Sequence, residues 1–92
     1  MIKSFRHKGL EAFYNSGTRK GIQADHTSKL ARILAALDVA QTAEDLSIPS
    51  FRTHRLKGEL DGTWAIWVNG NWRITFQFRG EDAEFVDYQD YH

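Results

Sequence analysis

A few residues of this 92-residue chain hold the groups that acid–base chemistry at a phosphate needs. His54 and His92 supply imidazole, Asp90 a carboxylate, and Lys57 and Arg73 fixed positive charge. Trp67 and Tyr91 add aromatic surface beside them. Together these groups suit cleavage of an RNA phosphodiester, in which the ribose 2′-hydroxyl attacks the adjacent phosphorus. That reaction needs a base for the hydroxyl, cations for the developing charge and an acid for the leaving oxygen. It needs no metal, no cofactor and no nucleophile from the protein. Blander readings stand beside this one. His54 is also an ordinary surface strand residue, and Arg73 an exposed sheet arginine stacked on Trp67. His54, Asp90 and His92 could ligate a metal, but no pair of histidines stands at helical spacing and cysteine is absent. Nothing resembles a nucleophile elbow, a nucleotide-binding glycine loop or a zinc motif.

The elements that must position these groups are strands. Thr63 to Val68 reads TWAIWV, Trp72 to Phe78 reads WRITFQF, and Asn69-Gly70-Asn71 lies between them. Asn-Gly between alternating apolar runs signals a hairpin. A three-residue loop would pair Val68 with Trp72, Ile66 with Ile74 and Trp64 with Phe76, with Asn71 in the left-handed conformation. That register gathers one apolar face and leaves Ala65, Trp67, Arg73 and Thr75 on the other. A second three-residue loop at Leu60-Asp61-Gly62 sets Leu56 with Ile66 and Lys57 beside Ala65. Lys57, Trp67 and Arg73 then share the face away from the core, suited to phosphate and base. His54 has the parity of Leu56 and reaches that face only through a bulge or a strand end. The last strand runs out through AEFVDYQDYH, where Asp90 and His92 share parity and Tyr91 alternates.

Earlier in the chain, Ile2 to Phe5 reads as a short added strand. Lys8 to Asn15 reads as a helix with Gly17 as its stop. Asp25 is the expected N-cap of a second helix reaching about Val39. In it Leu30, Ile33, Leu34 and Leu37 follow the spacing of a buried stripe. Thr42 to Leu46 suggests one more helical turn, broken at Ile48-Pro49. Lys8, Arg19, Lys20, Lys29 and Arg32 read by default as a solvated face. The expected fold is an α+β two-layer domain. An N-terminal strand and two helices pack on one face of a mainly antiparallel sheet, and residues 1–92 form a single domain. No remaining element is left to cover the other face.

With 41% hydrophobic and 26% charged residues the composition is that of an ordinary globular chain. Neither a signal peptide nor a membrane span is present, so cytoplasmic residence is the expectation. Net charge is zero but unevenly spread. Residues 1–37 carry seven Lys/Arg against two Asp/Glu, a net of +5, and residues 38–92 carry five against ten. A neutral whole argues against a free-standing nucleic-acid binder, while the basic half could still be a local footprint.

Larger blocks of sequence resemble a known family. His54-x-Leu56-Lys57-Gly58, then Gly62-x-Trp64-x-Ile66-x-Val68-Asn69-x-x-Trp72-Arg73-Ile74-x-Phe76, then Asp90-Tyr91-His92, are similar to the HigB toxins of the RelE/ParE superfamily. The opening Ile2-Lys3-Ser4-Phe5 matches as well. The resemblance implies a type II toxin that enters the ribosome and cuts mRNA codons in the decoding site, leaving a 2′,3′-cyclic phosphate. It implies a HigA-like helix-turn-helix antitoxin as partner, with operator DNA reached only through that antitoxin. It further implies His54 and His92 as acid–base residues, with Asp90 assisting them. Lys57 and Arg73 would hold the phosphate, and Tyr91 would shape the site. A ParE-like toxin, which binds DNA gyrase and cleaves nothing, shares the fold but generally lacks the terminal histidine set. His54 with Asp90-Tyr91-His92 therefore separates the two readings.

Overall fold

The computed structural model describes residues 1–58 and 62–90. Glu59, Leu60 and Asp61, expected in a hairpin loop, and the candidate site residues Tyr91 and His92 lie outside the described residues. The architecture is the expected two-layer α+β arrangement. Helices α1 (Lys8–Ser16) and α2 (Thr27–Val39) precede strands β1 (His54–Arg55), β2 (Trp64–Asn69), β3 (Trp72–Arg79) and β4 (Asp82–Asp90). The four strands form one antiparallel sheet in the order β1-β2-β3-β4.

Local chemistry explains the helix boundaries. The His7 side chain caps α1 by accepting the Leu10 N–H at 3.0 Å, and Gly17 ends it with φ 79°. Asp25 does not cap the second helix as expected. A short 3-10 turn, Ala24–His26, precedes α2 and absorbs it. The stripe Leu30, Ile33, Leu34 and Leu37 is buried as its spacing requires. It joins Leu10, Leu46, Phe51, Ile66, Ile74, Phe76 and Val86 in one hydrophobic cluster between the layers. Thr42–Leu46 does make a further turn of helix, Ala43–Leu46 in 3-10 form, closed by reciprocal bonds between Thr42 and Asp45.

Residues 2–5 run parallel to β4 but make only two isolated bridges, Ile2 with Ala83 and Phe5 with Val86, rather than a regular strand. The segment is held by the Lys3 N–H to the Ala83 carbonyl and the Arg6 N–H to the Val86 carbonyl, both at 2.8 Å. It is also tied at its start. Asp38 accepts from the Ile2 N–H at 3.2 Å and from the Tyr14 hydroxyl at 2.8 Å. These two donors hold the Asp38 carboxyl below its ordinary range, the Tyr14 bond being the larger cause.

Two registers differ from expectation. In the central hairpin Trp64 faces Phe76 and Ile66 faces Ile74, but Trp72 pairs with Asn69 rather than Val68. The turn is the two-residue Gly70-Asn71, and Gly70, at φ 55°, takes the left-handed position expected of Asn71. A bulge between Trp67 and Asn69 absorbs the odd residue, so the faces stay as predicted. The first hairpin changes more. His54 pairs with Ala65 and Arg55 with Trp64, a slip of three from the expected register. An odd slip exchanges the faces of a strand. His54 thereby moves to the face of Trp67 and Arg73, and Lys57 loses the partner it was assigned.

Candidate active site

The sheet face away from the helices is organised in rows, because residues paired across antiparallel strands point the same way. One row runs His54, Ala65, Thr75, Asp87; the next runs Trp67, Arg73, Gln89. His54 and Arg73 thus stand two strand spacings and one pleat apart across β2, roughly 12 Å on the diagonal. Ala65, paired with His54, is fully buried and carries only a methyl group. On this face lies a cleft of about 170 Å³ lined by His54, Trp67, Gly70, Asn71, Trp72 and Arg73.

His54 is exposed and its ring is oriented. Nδ1 lies 2.9 Å from the Arg52 carbonyl oxygen. A carbonyl only accepts, so Nδ1 carries the hydrogen and Nε2 of the neutral ring is left to take a proton. Arg52 adopts φ 48°, an uncommon backbone for a residue with a Cβ, and turns its carbonyl toward this ring. Its guanidinium meanwhile lies 4.3 Å from the centre of the Trp67 ring. The Lys29 ammonium approaches the same ring to 4.1 Å and donates to the Ser50 carbonyl at 2.7 Å. Partial burial, and then the charges of Arg32 and Arg52, lower the Lys29 pKa from its ordinary value. The Trp67 indole N–H donates to the Gly70 carbonyl at 2.9 Å and fixes the ring at the turn. The indole therefore has cations over it as expected, but they are Lys29 and Arg52, which sequence reasoning had left to solvent or passed over.

Behind Arg73, on the helix side, sits an aromatic cluster with no signal in the sequence pattern. Trp72 packs on Tyr88 with ring centroids 4.5 Å apart, and His26 meets both edge-on. His26 is buried, with Nδ1 2.6 Å from the Tyr88 hydroxyl. The Gln23 N–H donates to the same hydroxyl at 3.4 Å. Burial is the main reason the Tyr88 phenol is raised above its ordinary value; the charges of Asp25 and Asp90 add to it, and the Gln23 N–H opposes it. This cluster fastens the ends of β3 and β4, where Arg73 and Asp90 sit.

The remaining candidates divide. Asp90 is exposed and pairs with Trp72, so alternation sets it on the opposite face from Arg73. Lys57 is exposed just past β1 and does not line the cleft. Among the described residues no group of three His, Asp or Glu side chains is arranged to hold a metal ion. Among them, too, no helix is long and apolar enough to cross a membrane.

The chain as a whole is similar to known proteins. Residues 3–92 match the family described as RelE-like toxin of type II toxin–antitoxin system HigB. An endoribonuclease HigB from Proteus vulgaris is 42% identical over 92 residues, covering 100% of both chains. Toxin HigB-1 of Vibrio cholerae serotype O1 (strain ATCC 39315 / El Tor Inaba N16961) is 39% identical over 80 residues, covering 85% of this chain and 84% of that one. Among solved structures, a histidine-to-glutamine mutant of YafQ from E. coli superposes with a TM-score of 0.58 over 98% of this chain and 93% of its own. At 13% identity that likeness speaks for the fold alone.

Proposed function

This chain belongs to the HigB-like family of RelE-like toxins of type II toxin–antitoxin systems, and from that premise we propose that it is a metal-independent endoribonuclease cutting mRNA on the ribosome. The observation that carries the reading is the convergence of an oriented imidazole and a guanidinium on the lining of one cleft. His54 Nε2 takes the proton of a ribose 2′-hydroxyl. The freed oxygen attacks the adjacent phosphorus, and Arg73 stabilises the negative charge that develops there. The 5′-oxygen leaves with a proton from an acid, for which His92 is the candidate, and a 2′,3′-cyclic phosphate remains. Asp90, on the opposite face at the end of β4, assists by orienting the acid–base residues rather than by meeting the phosphate. Tyr91 shapes the site, and Lys57 adds positive charge along the backbone of the RNA. Trp67, held by Lys29 and Arg52, keeps the wall of the cleft rigid and the local potential positive.

A neutral chain with so few groups aligns a naked strand poorly, so the ribosome supplies orientation and the reaction belongs to the cytoplasm. A type II toxin has an antitoxin partner; we assign it to a HigA-like helix-turn-helix protein, which alone carries the pair to operator DNA. The test is primer extension on translating ribosomes, with free RNA alongside and a chelator added at ribosome-preserving magnesium. Cuts confined to ribosome-bound message, and insensitive to the chelator, are expected. Efficient cleavage of free RNA would sink the ribosome requirement. Inhibition of gyrase with intact message would move the chain to the ParE-like class.

A further inference from the structure

The open face of the sheet carries a second depression that the cleavage chemistry leaves unused. It encloses about 220 Å³ and is lined by Thr75, Asp87 and Gln89, with Arg6 and Phe85 among its walls. Its position follows from the register. Arg73 pairs with Gln89 and Thr75 with Asp87. The depression therefore begins one pleat, about 7 Å, along the strands from Arg73. That is within reach of a nucleotide adjoining the phosphate that Arg73 holds.

Phe85 is the feature packing does not explain. Between the pairs Thr75–Asp87 and Gln77–Glu84, β4 has one residue more than β3, a bulge of the kind that re-aims a side chain beside functional sites. Phe85 lies in it at φ 55°, a conformation costly for a bulky residue, and its N–H is pinned by the Ser4 hydroxyl at 2.9 Å. Phe85 is nonetheless 38% exposed, and the Arg6 guanidinium sits 5.1 Å from the centre of its ring. A strained backbone that presents an aromatic ring to solvent, with a cation against it, describes a stacking platform.

Two polar side chains of the depression, Asp87 and Gln89, are joined to each other. The Gln89 amide donates to Asp87 Oδ2 at 2.9 Å, and the Tyr88 N–H donates to Asp87 Oδ1 at 2.9 Å. A carboxylate only accepts, so Gln89 presents its NH₂ to Asp87 and keeps its carbonyl oxygen for a ligand. Toward a ligand Asp87 and Gln89 chiefly offer acceptors, while the Arg6 guanidinium and the Thr75 hydroxyl beside them can donate. Adenine, cytosine and guanine carry exocyclic amino groups that donate to such acceptors, whereas uracil carries carbonyls there.

We propose that this depression holds the base of a nucleotide adjoining the cleaved linkage, stacked against Phe85 and held through its exocyclic amino group by Asp87 and Gln89, so that uridine is disfavoured. The proposal rests on the RNA-cleavage reading of the neighbouring cleft, and its first test is independent of cleavage. The free protein is titrated with the 5′-monophosphates of adenosine, cytidine, guanosine and uridine while the Phe85 ring and Gln89 amide resonances are followed. The three amino-bearing nucleotides should shift them at concentrations about tenfold lower than uridine monophosphate. Phe85→Gly should remove the Gln89 response while the melting temperature holds or rises, because glycine adopts a positive φ without penalty. Asp87→Asn should narrow the gap between amino-bearing bases and uridine about tenfold. Ribosome-bound message carrying each base on either side of the cut should reproduce the preference in cleavage rate. Equal response to all four nucleotides, or a profile unmoved by both variants, would overturn the proposal. So would resonances that answer to the antitoxin and to no nucleotide. Amino-selective binding by a wild-type protein that cleaves no message would instead uphold the depression and refute the nuclease reading.

Discussion

Arg73 and Ile74 are neighbours on β3 and face different surroundings. On the covered face Ile66, Ile74, Phe76 and Val86 are fully buried among the helices' leucines. On the open face Ala65 and Thr75 are buried too. Burial therefore does not distinguish the two faces; side-chain size does. The covered face fills its volume with branched carbon. The open face buries small residues in the middle of its rows, and larger polar and aromatic groups stand around them. Depressions are the necessary outcome, and chemistry that needs a substrate between two side chains can occur only there.

Substitutions on the two faces should accordingly fail in different ways. His54→Ala carries the largest expected effect. Loss of a general base costs roughly 10²–10⁴ in rate, and an exposed residue on a two-residue edge strand leaves the melting temperature nearly unchanged. Cleavage on ribosomes measured beside a thermal melt decides it; undiminished activity would remove the imidazole from the mechanism. Arg73→Ala should follow, with a loss on the order of 10²–10³ and a folded protein. Its neighbour gives the mirror outcome. Ile74→Ala should destabilise by about 2–5 kcal/mol in denaturant while the folded fraction keeps its cleavage rate. Were Arg73→Ala to unfold the chain and Ile74→Ala to spare it, the assignment of faces would be reversed.

How much of this was legible in the sequence depends on which strand is considered. The central hairpin announced its faces because alternation in TWAIWV and WRITFQF survives an error of one residue in the loop. The bulge at Val68 corrected that error without moving Trp67 or Arg73. The β1 edge had no such safeguard. It is two residues long, too short to alternate, and its partner was fixed only by an assumed loop. The slip of three brought His54 to the open face, where the resemblance to HigB toxins required it and parity had argued against it. Lys29 and Arg52 were missed for another reason. Their meeting on Trp67 depends on α2, on the Pro49–Phe51 turn and on a left-handed Arg52, and periodicity cannot register a contact among three elements.

Smaller effects test the join between the faces. Tyr88→Phe removes the hydroxyl that engages buried His26 and the Gln23 N–H, and should cost about 1–3 kcal/mol in a denaturant titration. Because Tyr88 also packs on Trp72, next to Arg73, a modest fall in cleavage should accompany it; a change in neither would show that the cluster holds nothing in place. The smallest effect expected is that of acid on the N-terminal segment. The folded state lowers the Asp38 pKa, so its contribution is complete above the ordinary value of 3.8 and is lost as pH falls through the lowered one. Melting curves between pH 6 and 3 should therefore decline less steeply for Asp38→Asn than for the wild type. Parallel curves would mean that Asp38 contributes nothing through ionisation.

The contacts of residues 2–5 with β4 also set an order in time. Lys3 and Ala83 stand at opposite ends of the sequence, and closing so long a loop delays folding until the late strand is available. While a ribosome making this chain has yet to deliver β4, Ser4 has no Phe85 to hold, His26 lacks the Tyr88 hydroxyl, and Arg73 lacks Gln89 beside it. The nascent chain thus carries the covered layer's leucines and every residue that lines the His54–Arg73 cleft, but not the depression that Phe85, Asp87 and Gln89 line. Protease sensitivity of arrested chains of increasing length should stay high until β4 emerges and then fall in one step. Only when β4 joins the sheet is the depression it lines complete and the start of β3 fastened through Trp72 and Tyr88.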